Sequence, residues 1–184
     1  TTAIIAVTSG IFLLITGLLI AKPILEALDT PEDVIDLAVL YLRIYSLGMP
    51  FMMIYNFGAA ILRSLGDTKR PFYSLVVAGA INVGLNLLLV IEFEMSVAGV
   101  AVATVISNIV NAGIIVFFLT HEKGVFRLEL KQLSISKAEL KKILQIGVPA
   151  GIQGMVFSIS NVFVLATINS FGSAAVAGSS AALN

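Results

Sequence analysis

Residues 72–120 read FYSLVVAGAINVGLNLLLVI (72–91), EFEMS (92–96) and VAGVAVATVISNIVNAGIIVFFLT (97–120), two uncharged blocks around a short acidic turn. Each block is long enough to cross a hydrocarbon layer of roughly 30 Å at about 1.5 Å per helical residue. The pattern recurs on both sides. Thr1 to about Ala21 is almost uncharged and ends at Lys22-Pro23. A further helix begins near Thr30, where T-P-E-D supplies an N-cap, a proline at the first helical position and acid in the first turn. Its membrane part covers 34–65 and is interrupted at Gly48-Met49-Pro50, where proline removes a backbone hydrogen bond and predicts a kink. A fifth span runs from about Ile143 to Phe171; Gly172-Ser173 reads as a turn, after which a sixth helix starts.

Composition gives the same class. Hydrophobic residues make up 58% of the 184 and charged residues 12%, against about 45–50% and about 25% in soluble domains. A soluble domain of this size could not cover its surface with so few charges. The chain is therefore an all-α, polytopic integral membrane bundle. It has no cysteine, so its redox compartment is not encoded. Thr1 is not an initiator and Asn184 stops in an apolar stretch, so both ends read as cuts in a longer protein.

Charge sets the orientation. Glu26, Asp29, Glu32, Asp33, Asp36, Glu92 and Glu94 occupy one set of loops with Lys22 as the one base. The alternate loops hold Arg63, Lys69, Arg70, Lys123, Arg127, Lys131, Lys137, Lys141 and Lys142. By the positive-inside rule, loops 66–71 and 121–142 are expected in the cytoplasm, and the first span runs outward. Segment 121–142 carries VFRLELKQL and SKAELKKIL; it reads as an amphipathic linker at the cytoplasmic surface, or as a solvated loop. These bases belong to topology, not to a nucleic-acid surface. No metal cluster, phosphate loop or Ser/His/Asp arrangement is visible, so no enzyme and no cofactor are expected.

Polar residues inside the spans are informative because hydrocarbon offers them no partner. Asn82 and Asn86 are one turn apart on the third span, and Thr104, Asn108 and Asn111 form a stripe on the fourth. Amide and hydroxyl oxygens can replace water around sodium, or hydrogen-bond a carboxyl group and tune its protonation. The plainer role is interhelical bonding, worth about 0.6 kcal/mol on average. Asn56 follows the Pro50 break; Tyr55, Met52, Gln153 and Asn161 are candidates to line a substrate cavity, Met52 as part of an adaptable wall with Met49, Phe51 and Met53. Arg43 is placed to snorkel to headgroups, and His121 sits at an interface. Gly99 with Ala103, and Ala174 with Gly178, suit close helix approach.

Four segments, in order, resemble a known family. YNFGAAILRSLGDTKRP (55–71), AGAINVGLN (78–86), SVAGVAVATVIS (96–107) and GVPAGIQGMVFSI (147–159) are similar to parts of MATE (multidrug and toxic compound extrusion) transporters. The resemblance implies that 1–120 holds helices three to six of an N-lobe (about 1–21, 34–65, 72–91 and 97–120), that 121–142 links the lobes, and that 143–184 begins the C-lobe. It further implies export of small organic, often cationic, compounds in exchange for Na⁺ or H⁺ by alternating access. A family aspartate on the first helix, outside this chain, works with positions matching Asn56, Asn82, Asn86 and Thr104. Some members carry an acid where Asn86 stands. The expected partners are the organic substrate, the bilayer of the cell membrane and the remaining helices of the protein. Competing readings are a lipid-linked oligosaccharide flippase, disfavoured by the nearly charge-free spans, and a non-transporting membrane subunit.

Overall fold

The computed structural model describes residues 1–27, 32–122, 127–129 and 133–170, and these are helical apart from the connections. The helices are α1 (Thr2–Ala27), α2 (Glu32–Leu47), α3 (Met49–Ser64), α4 (Lys69–Leu87), α5 (Ser96–Thr120) and α6 (Lys137–Ser170), with a π turn at Leu88–Glu92. Among the described residues, α1, α4, α5 and α6 are long and apolar enough to cross a membrane; α2 and α3, bent by 45°, together make a fifth such span. Thr30-Pro31, Ala174, Gly178, the Gly172-Ser173 turn and the expected sixth helix lie outside the described residues.

The helices fall into two compact units, Thr1–Ser134 and Ile135–Asn184. In the first, α3 packs on α1 and α5, α2 packs on α1 and α5, and α4 lies along α5. Its interior is built largely from small residues. Ala59, Ala101 and Ala103 are fully buried, as are Leu62 and Ile115. Lipid is as apolar as leucine, so helices associate here by close packing and not by escaping water. A cluster of Ala59, Leu62, Ile115 and Leu119, flanked by Tyr55, Ile61, Phe118 and Leu128, joins α3 to α5.

The bend at Gly48–Pro50 is where backbones come closest. A Cβ at Gly10 would lie 2.5 Å from Pro50 Cα, and one at Gly48 would lie 3.3 Å from Asn108 Nδ2. One at Gly17, two turns beyond Gly10, would collide with Ser46 Oγ. Two glycines of α1 thus straddle the bend from one side while α5 closes on it from another. At Gly99 a Cβ would be 3.2 Å from Leu89 Cβ, so the expected close approach there is present.

Three boundaries differ from the sequence expectation. α1 continues through Pro23 to Ala27 instead of stopping near Ala21. Proline frees one carbonyl, that of Leu19, near the end of the helix, where lost pairing costs least. α4 starts at Lys69, before Phe72, because the Asp67 carboxylate accepts the backbone N–H of Lys69 (3.0 Å) and of Arg70 (3.1 Å). Pro71 then falls in the first turn, where its missing N–H is harmless. In the second unit, α6 starts at Lys137, before Ile143, so SKAELKKIL is the amphipathic opening of the helix. Ser136 Oγ accepts the N–H of Glu139 at 3.4 Å and caps it.

Candidate functional site: a polar chain between two membrane helices

The α3–α4 corner is built to be rigid. Gly66 takes φ +81°, a conformation open mainly to glycine. Its N–H reaches Arg63 O (3.0 Å), and that of Asp67 reaches Leu62 O (3.0 Å), the two bonds of a Schellman end. Asp67 then caps α4 and pairs with the Arg70 guanidinium, which also binds Glu122 beyond α5 and lies over the Phe118 ring. The N–H of Arg70, and then its charged side chain, hold the Asp67 carboxyl below its usual pKa. At this same end, Leu128 donates its N–H to Leu119 O (2.9 Å), and Thr1 Oγ1 donates to Ser134 O (3.2 Å).

From that corner α4 runs along α5, and their shared face carries two crossed serine–asparagine bridges. Ser74 of α4 donates its hydroxyl to the Asn111 carbonyl oxygens, and both residues are buried. Further along, Asn82 of α4 donates Nδ2–H to Ser107 Oγ of α5 at 3.3 Å. Asn86 donates Nδ2–H to Asn82 Oδ1 at 3.0 Å, and Ser107 donates its hydroxyl to Thr104 O at 2.8 Å. Every donor in this chain points the same way, from Asn86 through Asn82 and Ser107 to the α5 backbone. The other end is left open. Asn86 Oδ1 is buried and has no hydrogen-bond partner among the described residues.

The direction of the amides follows from chemistry. A carbonyl only accepts, so Ser107 commits its single proton to Thr104 O and can only accept from Asn82. Asn82 must therefore show Nδ2 to Ser107 and Oδ1 to Asn86. Asn86 then shows Nδ2 to Asn82, and its oxygen is the group left over. A buried carbonyl without a donor is costly, on the order of 1–3 kcal/mol, and calls for a proton donor or a cation. Neutral oxygens suit Na⁺ or a protonated carboxyl; among the described residues no cluster of His, Asp or Glu could hold a harder-bound metal.

The predicted residues divide accordingly. Asn82 and Asn86 are brought together. Thr104 joins through its backbone, while its hydroxyl donates to Val100 O (2.9 Å), which leaves the hydroxyl oxygen able to accept. The stripe expected on α5 is split: Asn111 faces Ser74, whereas Asn108 faces Gly48 at the bend. Asn56 is exposed on α3, whereas neighbouring Tyr55 packs on the α3–α5 core; Met52 is half-buried. Gln153 and Asn161 stand exposed on α6, in the other unit. Arg43 is exposed, as snorkelling requires. Ser107 is the residue that sequence reasoning missed; its signal was its place three residues from Thr104 and four from Asn111, on the face opposite Asn82.

Residues 1–88 match the MatE family model. The chain belongs to the MATE family. It is 34% identical over 175 residues to the probable multidrug resistance protein YoeA of Bacillus subtilis (strain 168), covering 91% of this chain and 38% of that protein. It is 35% identical over 166 residues to the probable multidrug resistance protein YpnP of the same organism, covering 88% and 36%. The chain thus spans under two-fifths of these relatives. A MATE crystal structure in the bent conformation superposes with a TM-score of 0.83 at 25% identity, covering 92% of this chain and 38% of that one. The outward-facing conformation of a multidrug resistance MATE family transporter gives a TM-score of 0.81 at 25% identity, covering 90% and 37%. This MATE chain is accordingly part of a multi-pass membrane architecture within a family of transporters.

Proposed function

We propose that the protein containing this MATE chain exports small organic, often cationic, compounds across the cell membrane, driven by inward movement of Na⁺ or H⁺. The observation that carries the ion-coupling part is the unpartnered Asn86 oxygen at the end of a one-way hydrogen-bond chain. Asn82 orients that oxygen, and the Thr104 hydroxyl, its proton held by Val100, offers a second acceptor on α5. Both oxygens are neutral, so a carboxylate from another helix would have to supply the charge. Met52 and Tyr55 on α3, and Gln153 and Asn161 on α6, are the proposed substrate-facing positions, and Asn56 on α3 is a further candidate for the cation site. The basic ends, near 66–71 and 121–142, lie in the cytoplasm, as the positive-inside rule requires. Alternating access follows if the ion binds the two conformations unequally, since a ligand shifts an equilibrium only by its differential affinity.

The test is triple replacement of Asn82, Asn86 and Thr104 by alanine in the whole protein. After reconstitution, efflux of a cationic dye is followed under an imposed Na⁺ or pH gradient. Loss of gradient dependence, with the protein still monodisperse, is expected. Unchanged ion-coupled export would remove these residues from the site.

A further inference from the structure

We infer that Ser107 is a positioning residue that fixes the polarity of the cation site, making it present oxygen and not N–H. The inference rests on the proposed cation site. The Asn86–Asn82–Ser107 chain has two self-consistent directions. In the observed one, Ser107 donates to Thr104 O at 2.8 Å and accepts from Asn82 at 3.3 Å, which leaves Asn86 Oδ1 as the open end. In the reverse one, Ser107 would donate to Asn82 Oδ1 and both amides would turn over, leaving Asn86 Nδ2–H as the open end. A terminal oxygen attracts Na⁺ or a protonated carboxyl; a terminal N–H repels the first and cannot accept from the second. The two directions contain almost the same groups, so the choice between them depends on one proton.

The Thr104 carbonyl makes that choice. It accepts only, it belongs to the α5 backbone, and it lies one turn below Ser107, so the hydroxyl proton is drawn away from Asn82. The other bridge supplies an internal comparison. Ser74 and Asn111 join the same two helices with the same side-chain types and are more deeply buried, at 1% and 4% exposure, yet neither is hydrogen-bonded to Asn82 or Asn86. Loss of Ser74 removes a helix–helix bond without touching the polarity of the chain. Ser107 does both, and that difference is measurable.

Ser107→Ala, Ser107→Thr and Ser74→Ala are made in the whole protein, with Asn86→Ala for reference. Dye efflux is measured against Na⁺ concentration and against pH, alongside thermal stability. Ser107→Ala is expected to raise the Na⁺ concentration for half-maximal efflux, or to shift the pH midpoint equivalently, by about 3- to 18-fold, the range of a lost interhelical hydrogen bond. Ser107→Thr keeps the hydroxyl and is expected to restore the midpoint. Ser74→Ala is expected to lower stability at least as much as Ser107→Ala while leaving the midpoint in place. If Ser107→Ala keeps the parent midpoint although Asn86→Ala loses ion dependence, the positioning role is refuted and the site stands. If Asn86→Ala also keeps ion dependence, the site itself falls, and this inference with it.

Discussion

Replacing Gly10 by alanine adds one methyl carbon, and the α1–α3 crossing dictates what it meets. The carbon would sit 2.5 Å from Pro50 Cα, 3.2 Å from Pro50 N and 3.3 Å from Pro50 Cβ, whereas ordinary contact begins at 3.4 Å. α1 must therefore retreat by about 0.9 Å from a backbone atom that no rotamer change can move. Sliding along the axis gives no relief, because Gly17 is already pressed on Ser46. Overpacking of this kind costs about 1–3 kcal/mol. Gly79 on α4 is the matched control: nothing lies within 4 Å of a Cβ there. Both substitutions gain the same helix preference for alanine, about 1 kcal/mol, so the difference between them isolates the clash. It should reach about 1–3 kcal/mol, or roughly 5- to 150-fold in the unfolding equilibrium. The assay is survival of the monodisperse gel-filtration peak after heating in detergent. Equal midpoints for Gly10→Ala and Gly79→Ala would refute the close-approach reasoning.

Four further outcomes concern the basic end and the α4–α5 face. Arg70→Ala should break the ion pairs with Asp67 and Glu122, and hydrogen exchange should show the amides of 67–70 losing protection while those of α1 keep theirs. Because the folded carboxyl of Asp67 titrates below its usual value, its contribution is present above that value and lost as pH falls through the lower one; protection of the Lys69 and Arg70 amides should fall in that acidic window and be flat near neutrality. Leu128→Ala should cost less than the about 2–5 kcal/mol of a fully buried leucine, since Leu128 is half-buried, and should raise protease cleavage around 127–129. Ser74→Ala should lower stability by about 0.6 kcal/mol, with roughly 1.7 as the upper bound seen for such bonds.

The spans were legible because charge and hydropathy are local properties: each block had to be a helix whatever packed beside it. The kink was legible for the same reason, since Pro50 lacks an N–H wherever it sits. The ends were less so. Asp67 lies two residues before α4 and caps it with a side chain, which an apolar-run reading discards as loop; that placed the helix start at Phe72 and not Lys69. The site was half-legible. Asn82 and Asn86 stand out as polar groups in lipid, one turn apart. Asn111 and Asn108 share a nominal stripe, but the bundle gives α5 a different neighbour on each side, and periodicity carries no information about neighbours. Ser107 was hidden because serine is common where helices pack closely. Its importance lies in one proton's direction, which the Thr104 carbonyl of its own helix sets and which matters only because Asn82 of α4 packs against it.

The corner at Gly66–Asp67 has a mechanical consequence. One residue both closes α3, through its N–H, and opens α4, through its carboxylate, so the two helices share a clamped joint. α3 has 16 residues, or about 24 Å of arm at about 1.5 Å each. A swing of roughly 10° at the Gly48 bend would carry that joint by about 4 Å, with the arm length as the multiplier. The joint passes the stroke to α4, which bears Asn82 and Asn86. A small rotation at the Gly48 bend would thus become a large displacement at the basic end, delivered to the helix that holds the open oxygen.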